Sequence, residues 1–237
     1  FFVNFNKSDN LNELIEYLRQ FVTTQRFELL NSRLERRTRY CTVLLEDIFQ
    51  PQNASAVLRT CDCFGIQDVH IIENKNAYRI NRDVVLGSAQ WLQLYRYNKQ
   101  KTNNTPAALQ ELRSRGYRIV ATLPREEGVS VHNFDMNKGP FVLCFGSERP
   151  GLSKGLLSSA DEYLYIPMVG FTESLNISVA VAICLQNLQW KLQNSQLDWH
   201  LTKSEKEIIL LDWMKKSIKS SDLIINEYYK RNPGING

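Results

Sequence analysis

The stretch CTVLLEDIFQPQNASAVLRTCDCFGIQDVHIIE, residues 41–73, decides the fold of this chain. It opens on the apolar run CTVLLEDI (41–48), which reads as a buried strand, and closes on a second strand-like run, DVHIIE (68–73). Between the two, NASAVLRTCDCFG (53–65) reads as a helix that ends at Gly65. Strand, helix, strand is the unit from which parallel sheets are built, so the stretch predicts an α/β domain.

The same alternation continues along the chain to about residue 190. Further strands are predicted at WLQLYRY (91–97), YRIVATL (117–123), FVLCFG (141–146) and YLYIPM (163–168), with helices at PAALQELRSRG (106–116), after GLS (151–153) and in the apolar stretch after residue 176. We expect a mostly parallel, open sheet with helices on both faces. Ligands of such sheets bind beyond the carboxyl ends of the strands.

Both ends of the chain are predicted to be helical extensions of this domain. Residues 8 to 37 read as one helical arm that begins with Ser8 or Asp9 as its cap. Residues 201–232 form a second amphipathic segment, in which Thr202 and Glu205 have the spacing of a capping box. The expected domains are therefore an N-terminal arm at 1–39, a central domain at 40–193 and a C-terminal extension at 194–237.

The composition is that of a globular protein that acts outside membranes. The chain has 237 residues, of which 43% are hydrophobic, and this is enough to bury a substantial core. No apolar run reaches the roughly 18 to 20 residues of a membrane span, and the first residues, FFVNFNKSDNLNEL, lack the pattern of a signal peptide. We therefore expect a cytoplasmic protein.

The cysteines and histidines do not suggest a metal site or a disulfide framework. Five cysteines is an odd number, and the pair Cys61 and Cys63 has no second pair or nearby histidine to complete a tetrahedral site. The three histidines are scattered along the chain. We expect no metal, and we expect the cysteines that lie in apolar runs to be small buried hydrophobes: Cys41, Cys63, Cys144 and Cys184.

The net charge of +4 is concentrated in the N-terminal arm. The segment RFELLNSRLERRTRY (26–40) carries five arginines, and on a continuous helix Arg26, Arg33 and Arg37 share one face. Such a face is either solvated or a surface that binds nucleic acid. The excess of arginine over lysine favours planar contacts to phosphate, so RNA is a candidate partner.

The stretch FTESLNISVAVAICL (171–185) places an unusual number of polar side chains before an apolar helix. Glu173, Ser174, Asn176 and Ser178 cluster where the helix begins, and Gly170 precedes them. One serine or asparagine is enough to cap a helix, so capping explains one of these residues and leaves the others unexplained.

The turns that follow two of the predicted strands also carry polar residues. A dinucleotide site would need a glycine-rich turn after the first strand, and its absence argues against a nucleotide-binding oxidoreductase. The turn offers instead Asn53, which either caps the helix or lines the strand ends, and Arg59 lies two turns on. LCFGSERPGLS (143–153) ends a strand with Gly146 and Glu148, where close backbone approach and a carboxylate suit an active site.

Taken together, three of these segments resemble a known family. NASAVLRTCDCFG, LCFGSERPGLS and IPMVGFTESLNISVAVAICL are similar, in this order and spacing, to the three signature motifs of the TrmH branch of the SPOUT RNA methyltransferases, and LGSAQWL (86–92) is similar to a secondary pattern. The resemblance covers about residues 40–192. It implies a C-terminal trefoil knot, which the residues alone do not predict, together with an S-adenosylmethionine site and a homodimer whose active site lies near the subunit interface.

The resemblance also implies roles for individual residues. The implied catalytic residues are Arg59, Asn53, Glu148, Ser174 and Asn176, and the implied donor-binding residues are Thr122, Gly146, Ile166, Met168 and Leu175. Arg59 is the residue that matches the family's catalytic arginine. At Glu173 many relatives carry glutamine, which puts the detailed substrate preference in question.

The implied reaction is methyl transfer from S-adenosylmethionine to a ribose 2′-hydroxyl of RNA, without a metal. The helical ends resemble those of the subgroup that modifies the D-loop guanosine at position 18 of tRNA. Two alternatives are methylation of ribosomal RNA and a non-catalytic RNA-binding dimer. The presence of all five implied catalytic residues argues against the second alternative.

Overall fold

A seven-stranded sheet organises the central part of the chain. The computed structural model describes residues 8–78 and 87–232. The strands are β1 Cys41–Glu46, β2 Asp68–Ile72, β3 Gln93–Tyr97, β4 Arg118–Leu123, β5 Val129–Ser130, β6 Phe141–Gly146 and β7 Glu162–Tyr165. Their order is β3-β2-β1-β6-β4-β7-β5, and every pair is parallel. The predicted parallel sheet is confirmed, and the short strand β5 was not predicted.

The helices follow the predicted alternation, with boundaries shifted by a few residues. They are α1 Ser8–Arg19, α2 Thr24–Leu34, α3 Pro51–Cys63, α4 Thr105–Ser114, α5 Lys154–Ser158, α6 Ile177–Gln193, α7 Lys203–Ser217 and α8 Ser221–Arg231, with a 3₁₀ helix at Ser88–Trp91. Gly65 follows α3 with a φ of 73°, a left-handed conformation that suits glycine at a helix end.

Helices cover both faces of the sheet, as the apolar strands predict. In β1, Val43 and Leu45 pack into the core that α3 and α6 share, whereas Leu44 packs into the core of α4 and α5. All three side chains are fully buried. Because β1 has a helix layer on each side, neither set of alternating side chains can be polar, which explains its continuous apolar run.

The helix α6 is buried on one side only. Val181, Cys184 and Leu188 lie in the core, whereas Val179, Ile183 and Trp190 are exposed by 45%, 37% and 61%. The segment is apolar on nearly every side, yet in the single subunit one of its apolar faces is not covered. The three exposed residues recur at intervals of four and seven, so they form an apolar stripe along the helix.

The two ends of the chain form one compact unit and the sheet domain forms another. The first unit contains the residues up to Arg37 and those from His200 onward, and the second spans Thr38–Trp199. In the first unit, Leu14 and Leu18 of α1 are buried, and α1 packs against α7 and α8. The rings of Tyr17 and Tyr228 lie 4.8 Å apart. The terminal helices therefore share a core of their own.

The N-terminal arm is helical, as the sequence predicts, but it consists of two helices and is not continuous over residues 8–37. The break comes at Thr23, whose side chain accepts a hydrogen bond of 3.1 Å from the Arg26 backbone N–H and so caps α2. The C-terminal segment also divides in two, at Ser220, where φ is 57°. The predicted capping box of Thr202 and Glu205 is confirmed at the start of α7.

Most cysteines occupy the core as small hydrophobes. Cys41, Cys61, Cys144 and Cys184 are buried, but Cys63 is exposed at the end of α3, so its predicted burial is wrong. Burial raises the pKa of the Cys144 thiol well above its usual range and that of Cys184 to about 12. These thiols stay protonated near neutral pH, which makes them poor nucleophiles.

Candidate functional site

The three sequence motifs meet at the carboxyl edge of the sheet. Because β1 and β6 are parallel neighbours with Glu46 opposite Gly146, the segments that follow them leave the sheet side by side. The first continues into α3, and the second forms a loop at residues 147–153 that leads into α5. The residues before α6 follow β7, whose carboxyl end lies at the same edge.

Asn53 joins the three motifs through its side-chain amide. Its Nδ2 donates to Glu148 Oε1 at 2.5 Å and to Gln50 Oε1 at 3.2 Å, and its Oδ1 accepts from Asn176 Nδ2 at 3.1 Å. Only 8% of the residue is exposed. Each polar atom of this amide therefore has a partner, and the partners come from the residue before α3, from the loop after β6 and from the residue before α6.

Asn53 is not a helix cap, and the capping interpretation of this residue is wrong. The helix α3 begins at Pro51, with Gln50 at the capping position and no side-chain cap bond. Proline suits the first turn because it lacks the N–H group that would otherwise need a partner. Asn53 lies inside the first turn, where its side chain is available for contacts outside the helix.

Asn176 caps α6 and also belongs to the Asn53 cluster. Its Oδ1 accepts from the backbone N–H of Ser178 at 2.9 Å and from the Ser178 hydroxyl at 2.7 Å. Its Nδ2 is then directed to Asn53. Glu173 and Ser174 are exposed and take no part in the cap. Of the polar residues at the helix start, Asn176 therefore caps the helix and also contacts Asn53, whereas Glu173 and Ser174 face solvent.

Arg59 lies apart from this hydrogen-bonded cluster. It is exposed on α3, six residues beyond Asn53. Within residues 8–78 and 87–232 its guanidinium makes no side-chain hydrogen bond or ion pair. The structure thus brings Asn53, Glu148 and Asn176 together, whereas Arg59 and Ser174 keep exposed side chains.

The residues expected to hold the methyl donor surround the ends of β4, β6 and β7. Thr122 donates its hydroxyl to the Cys144 carbonyl at 2.8 Å and so ties β4 to β6. A Cβ at Gly146 would overlap the backbone of Gly151 and Leu152, so only glycine fits there. Two further donor residues, Ile166 and Met168, are half-buried just after β7, and Leu175 is 37% exposed.

The backbone after β7 is open to hydrogen bonding. Among the described residues, no hydrogen bond involves a backbone N–H or carbonyl of residues 166–175, and the first bonded group is the Asn176 carbonyl, which accepts from Ala180. Backbone polar groups need partners when they are covered. A ligand with several donors and acceptors, such as an adenosyl group, is of the type that these groups can bind.

Sequence reasoning missed two polar residues at this edge of the sheet. Gln50 accepts from Asn53, and Glu46 is a carboxylate with 1% exposure at the end of β1. The signal for Glu46 was a charged residue inside an otherwise apolar run, because such a residue is buried only when it has strong partners.

The arginines of the N-terminal arm do not form the predicted common face. Arg26 and Arg33 lie on α2, half-buried and exposed respectively. Arg37 lies beyond the end of the helix with 5% exposure, and its guanidinium is 5.1 Å from the ring centre of Trp213. The expectation that Arg37 contacts RNA is not compatible with this burial, whereas Arg26 and Arg33 remain candidates.

The described part of the chain shows neither a membrane-spanning helix nor a metal cluster. None of its helices is long and apolar enough to cross a membrane. Among the same residues, no three histidine, cysteine, aspartate or glutamate side chains are grouped so that they could hold a metal ion.

Comparison with known proteins identifies similar chains over most of the length. A tRNA (guanosine(18)-2′-O)-methyltransferase of Borreliella burgdorferi is 41% identical over 92% of this chain and 97% of its own length. One of the same name from Aquifex aeolicus is 33% identical over 86% and 94%. A 23S rRNA (guanosine-2′-O-)-methyltransferase of Pseudomonas aeruginosa is 33% identical over 60% of this chain and 55% of its own.

Solved structures agree with these matches. The TrmH/SpoU tRNA modifying enzyme of A. aeolicus superposes with a TM-score of 0.72 at 29% identity, over 83% of this chain and 98% of that one. The model of the SpoU rRNA Methylase family matches residues 40–186. The resemblance drawn from the three motifs is confirmed. This chain belongs to the SpoU rRNA methylase family.

Proposed function

We propose that this protein transfers a methyl group from S-adenosylmethionine to the ribose 2′-hydroxyl of the D-loop guanosine at position 18 of tRNA. The observation that carries the proposal is the Asn53–Glu148–Asn176 cluster, because it assembles one residue from each of the three motifs at the ligand-binding edge of the sheet. The name and the 92% coverage of the B. burgdorferi relative support this substrate. A cytoplasmic location is part of the same proposal.

The methyl donor is held between the ends of β4, β6 and β7. The unpaired backbone groups of residues 166–175 bind the adenosyl moiety, with Ile166, Met168 and Leu175 as its apolar contacts. Thr122 and Gly146 shape the floor of the pocket. The bound donor supplies an electrophilic methyl group on a sulfonium, so the protein has to align the acceptor and help it lose a proton.

Asn53 and Asn176 are positioning residues in this proposal. The Asn53 amide is fully hydrogen-bonded within the protein and therefore fixes its neighbours rather than the ribose. Glu148 has one oxygen bound to Asn53 and is an exposed residue, so its second oxygen is available to orient a cation. Ser174, exposed just before α6, completes the acceptor side.

Arg59 acts on the acceptor side as a cation. A guanidinium stays protonated far above neutral pH, so it is poorly suited to be the base. Binding a phosphate next to the reacting ribose is the easier role, because arginine forms bidentate, charge-assisted bonds with phosphate. Its exposure on α3 leaves it accessible to RNA.

A homodimer is proposed from the apolar stripe on α6. The residues Val179, Ile183 and Trp190 are too exposed to stabilise the isolated subunit, and a second copy of the chain provides the cover. Light scattering measures the molecular mass of the protein in solution, which should be that of a dimer. The variant Ile183→Asp should shift the protein toward a monomer. A wild-type protein that is monomeric at micromolar concentration contradicts this part.

We propose the knot from the resemblance of the three motifs to the SPOUT methyltransferases. The strand order supports it, because the chain leaves β6 beside β1, forms β7 on the far side of β4 and returns to pack α6 on α3. Tracing residues 147–193 in an experimental structure tests whether this segment passes through a loop.

The function is tested by incubating unfractionated tRNA and ribosomal RNA with labelled S-adenosylmethionine and mapping the modified nucleotide. We expect label at guanosine 18 of tRNA, in the presence of a chelator as well as in its absence, because this chemistry needs no metal. Label in ribosomal RNA alone would favour the alternative that the P. aeruginosa relative suggests. Donor binding without any transfer would identify a non-catalytic RNA-binding protein.

A further inference from the structure

Glu46 is a buried carboxylate whose partners are all hydrogen-bond donors. Its Oε1 accepts from the hydroxyls of Thr105 at 2.7 Å and Ser153 at 2.8 Å, and its Oε2 accepts from the backbone N–H of Ser153 at 2.7 Å. Among the described residues, no lysine or arginine forms an ion pair with it. A buried carboxylate is costly unless such donors satisfy it, so the site is built around three bonds.

Two of these bonds hold the end of the loop at residues 147–153. Ser153 caps α5, because its Oγ also accepts from the Leu156 N–H at 3.2 Å. One side chain is thus bound to Glu46 and to the first turn of α5 at once. The third bond of Glu46 goes to Thr105 at the start of α4, which does not belong to the loop.

The other end of the same loop lies in the proposed active site. Glu148 is bonded to Asn53, and the backbone of Gly151 and Leu152 folds back against Gly146 at the end of β6. The loop is therefore fixed at two points, to α3 through Glu148 and to β1 through Ser153. Because Glu46 ends β1 in register with Gly146, the second point belongs to the rigid sheet.

We infer that Glu46 is a positioning residue for methyl transfer, which acts through Ser153 to hold loop 147–153 in the conformation that binds the methyl donor. The inference rests on the proposed function, since it assumes that Gly146 and the loop border the donor site. A carboxylate suits this task better than a neutral side chain, because charge-assisted bonds are shorter and stronger than neutral ones.

The experiment compares four variants of the full-length protein. Glu46→Leu removes every acceptor, and Glu46→Gln keeps one acceptor in nearly the same shape. Ser153→Ala removes one of the two loop bonds together with the side-chain cap of α5. Thr105→Val is the matched control, because it removes a bond to the same carboxylate from α4 and leaves both loop bonds in place. Each variant is measured for melting temperature, donor affinity by calorimetry, and KM and kcat for both substrates.

We expect the loop variants to weaken donor binding and the control to leave it unchanged. Loss of a hydrogen bond to a charged group changes an equilibrium constant by about tenfold or more. Ser153→Ala should therefore raise the KM for the donor about tenfold, and Glu46→Leu should raise it further. Glu46→Gln should be intermediate. The KM for tRNA should stay within about twofold of wild type, because the proposal assigns this loop to the donor and the phosphate contact of the RNA to Arg59 on α3.

The outcomes separate this inference from the proposed function. If the wild-type protein neither binds S-adenosylmethionine nor methylates RNA, the proposed function fails. If wild type is active and Glu46→Gln and Ser153→Ala match Thr105→Val in donor KM and kcat, Glu46 is only structural and the inference is overturned. Should Glu46→Leu fail to fold, the other three variants still decide the question.

Discussion

Replacing Asn53 by aspartate tests the cluster that joins the three motifs. The change keeps the shape of the side chain but puts an oxygen where Nδ2 now donates to Glu148 Oε1 at 2.5 Å. Two carboxylates at this separation repel each other, and the pair takes up one proton more readily than an isolated carboxylate does. The variant should therefore be destabilised near neutral pH and should recover as the pH falls.

The size of the effect follows from two limits. The lower limit is the loss of one hydrogen bond to a charged group, about 1.5 kcal/mol. The upper limit is set by proton uptake. Protonating a carboxyl with an ordinary pKa of about 4 at neutral pH costs about 4 kcal/mol. Because protonation removes the repulsion between the two carboxylates, the destabilisation cannot exceed that cost. Because Glu148 is exposed and can turn toward water, we expect a value near the lower limit, about 2 kcal/mol.

The sign of the pH dependence follows from linkage. In the folded variant the shared site has a raised pKa, so between about pH 4 and neutral pH the folded state binds more protons than the unfolded state. Stability then rises as the pH is lowered through that range. Urea unfolding of both proteins at several pH values between about 4 and 7.5 measures the difference.

The matched control is Gln50→Glu, which adds the same charge to the same cluster. Gln50 already accepts from Asn53 through Oε1 at 3.2 Å and is exposed, so a carboxylate there keeps the bond. We expect the control to lose less than about 1 kcal/mol. The reasoning is refuted if Asn53→Asp is as stable as this control near neutral pH, or if its stability difference does not change with pH.

Three further predictions concern the site and the arm. Arg59→Ala should abolish methyl transfer with melting temperature and donor affinity unchanged, because Arg59 is exposed; near-normal single-turnover rates would count against it. Arg26→Gln with Arg33→Gln should make the salt dependence of tRNA binding shallower by about 0.7 to 0.9 per lost phosphate contact, and parallel lines would exclude the arm. Gly146→Ala should prevent donor binding, because its Cβ would overlap backbone, whereas Gly155→Ala, whose Cβ meets nothing closer than 4.0 Å, should bind normally.

Local sequence was enough to predict most of the elements. Strand-like runs in the sequence gave six of the seven strands of the described sheet, and the most continuous of them, β1, is apolar because it is buried on both faces. The capping box of α7 was predicted because its two partners are three residues apart. The strand β5 was missed because two residues carry no periodic pattern.

The roles of particular polar residues could not be predicted from local sequence. Asn53 resembled a cap, since asparagine near a helix start is most often one, but its partners Glu148 and Asn176 are 95 and 123 residues away. Arg37 continued a basic run, yet it is buried against Trp213, which belongs to the C-terminal helices. In both cases the deciding contact comes from a distant part of the chain.

The sequence by itself determined the class of the fold, the alternation of strands and helices, and the family, because these depend on side-chain type at short spacing. The tertiary structure decided the order of the strands, the exposed stripe of α6 and the assembly of the Asn53 cluster. These depend on which segments meet, and a parallel sheet brings together residues that are far apart in the chain. Short-range patterns contain no information about such contacts, so only the folded chain reveals that one amide connects three motifs.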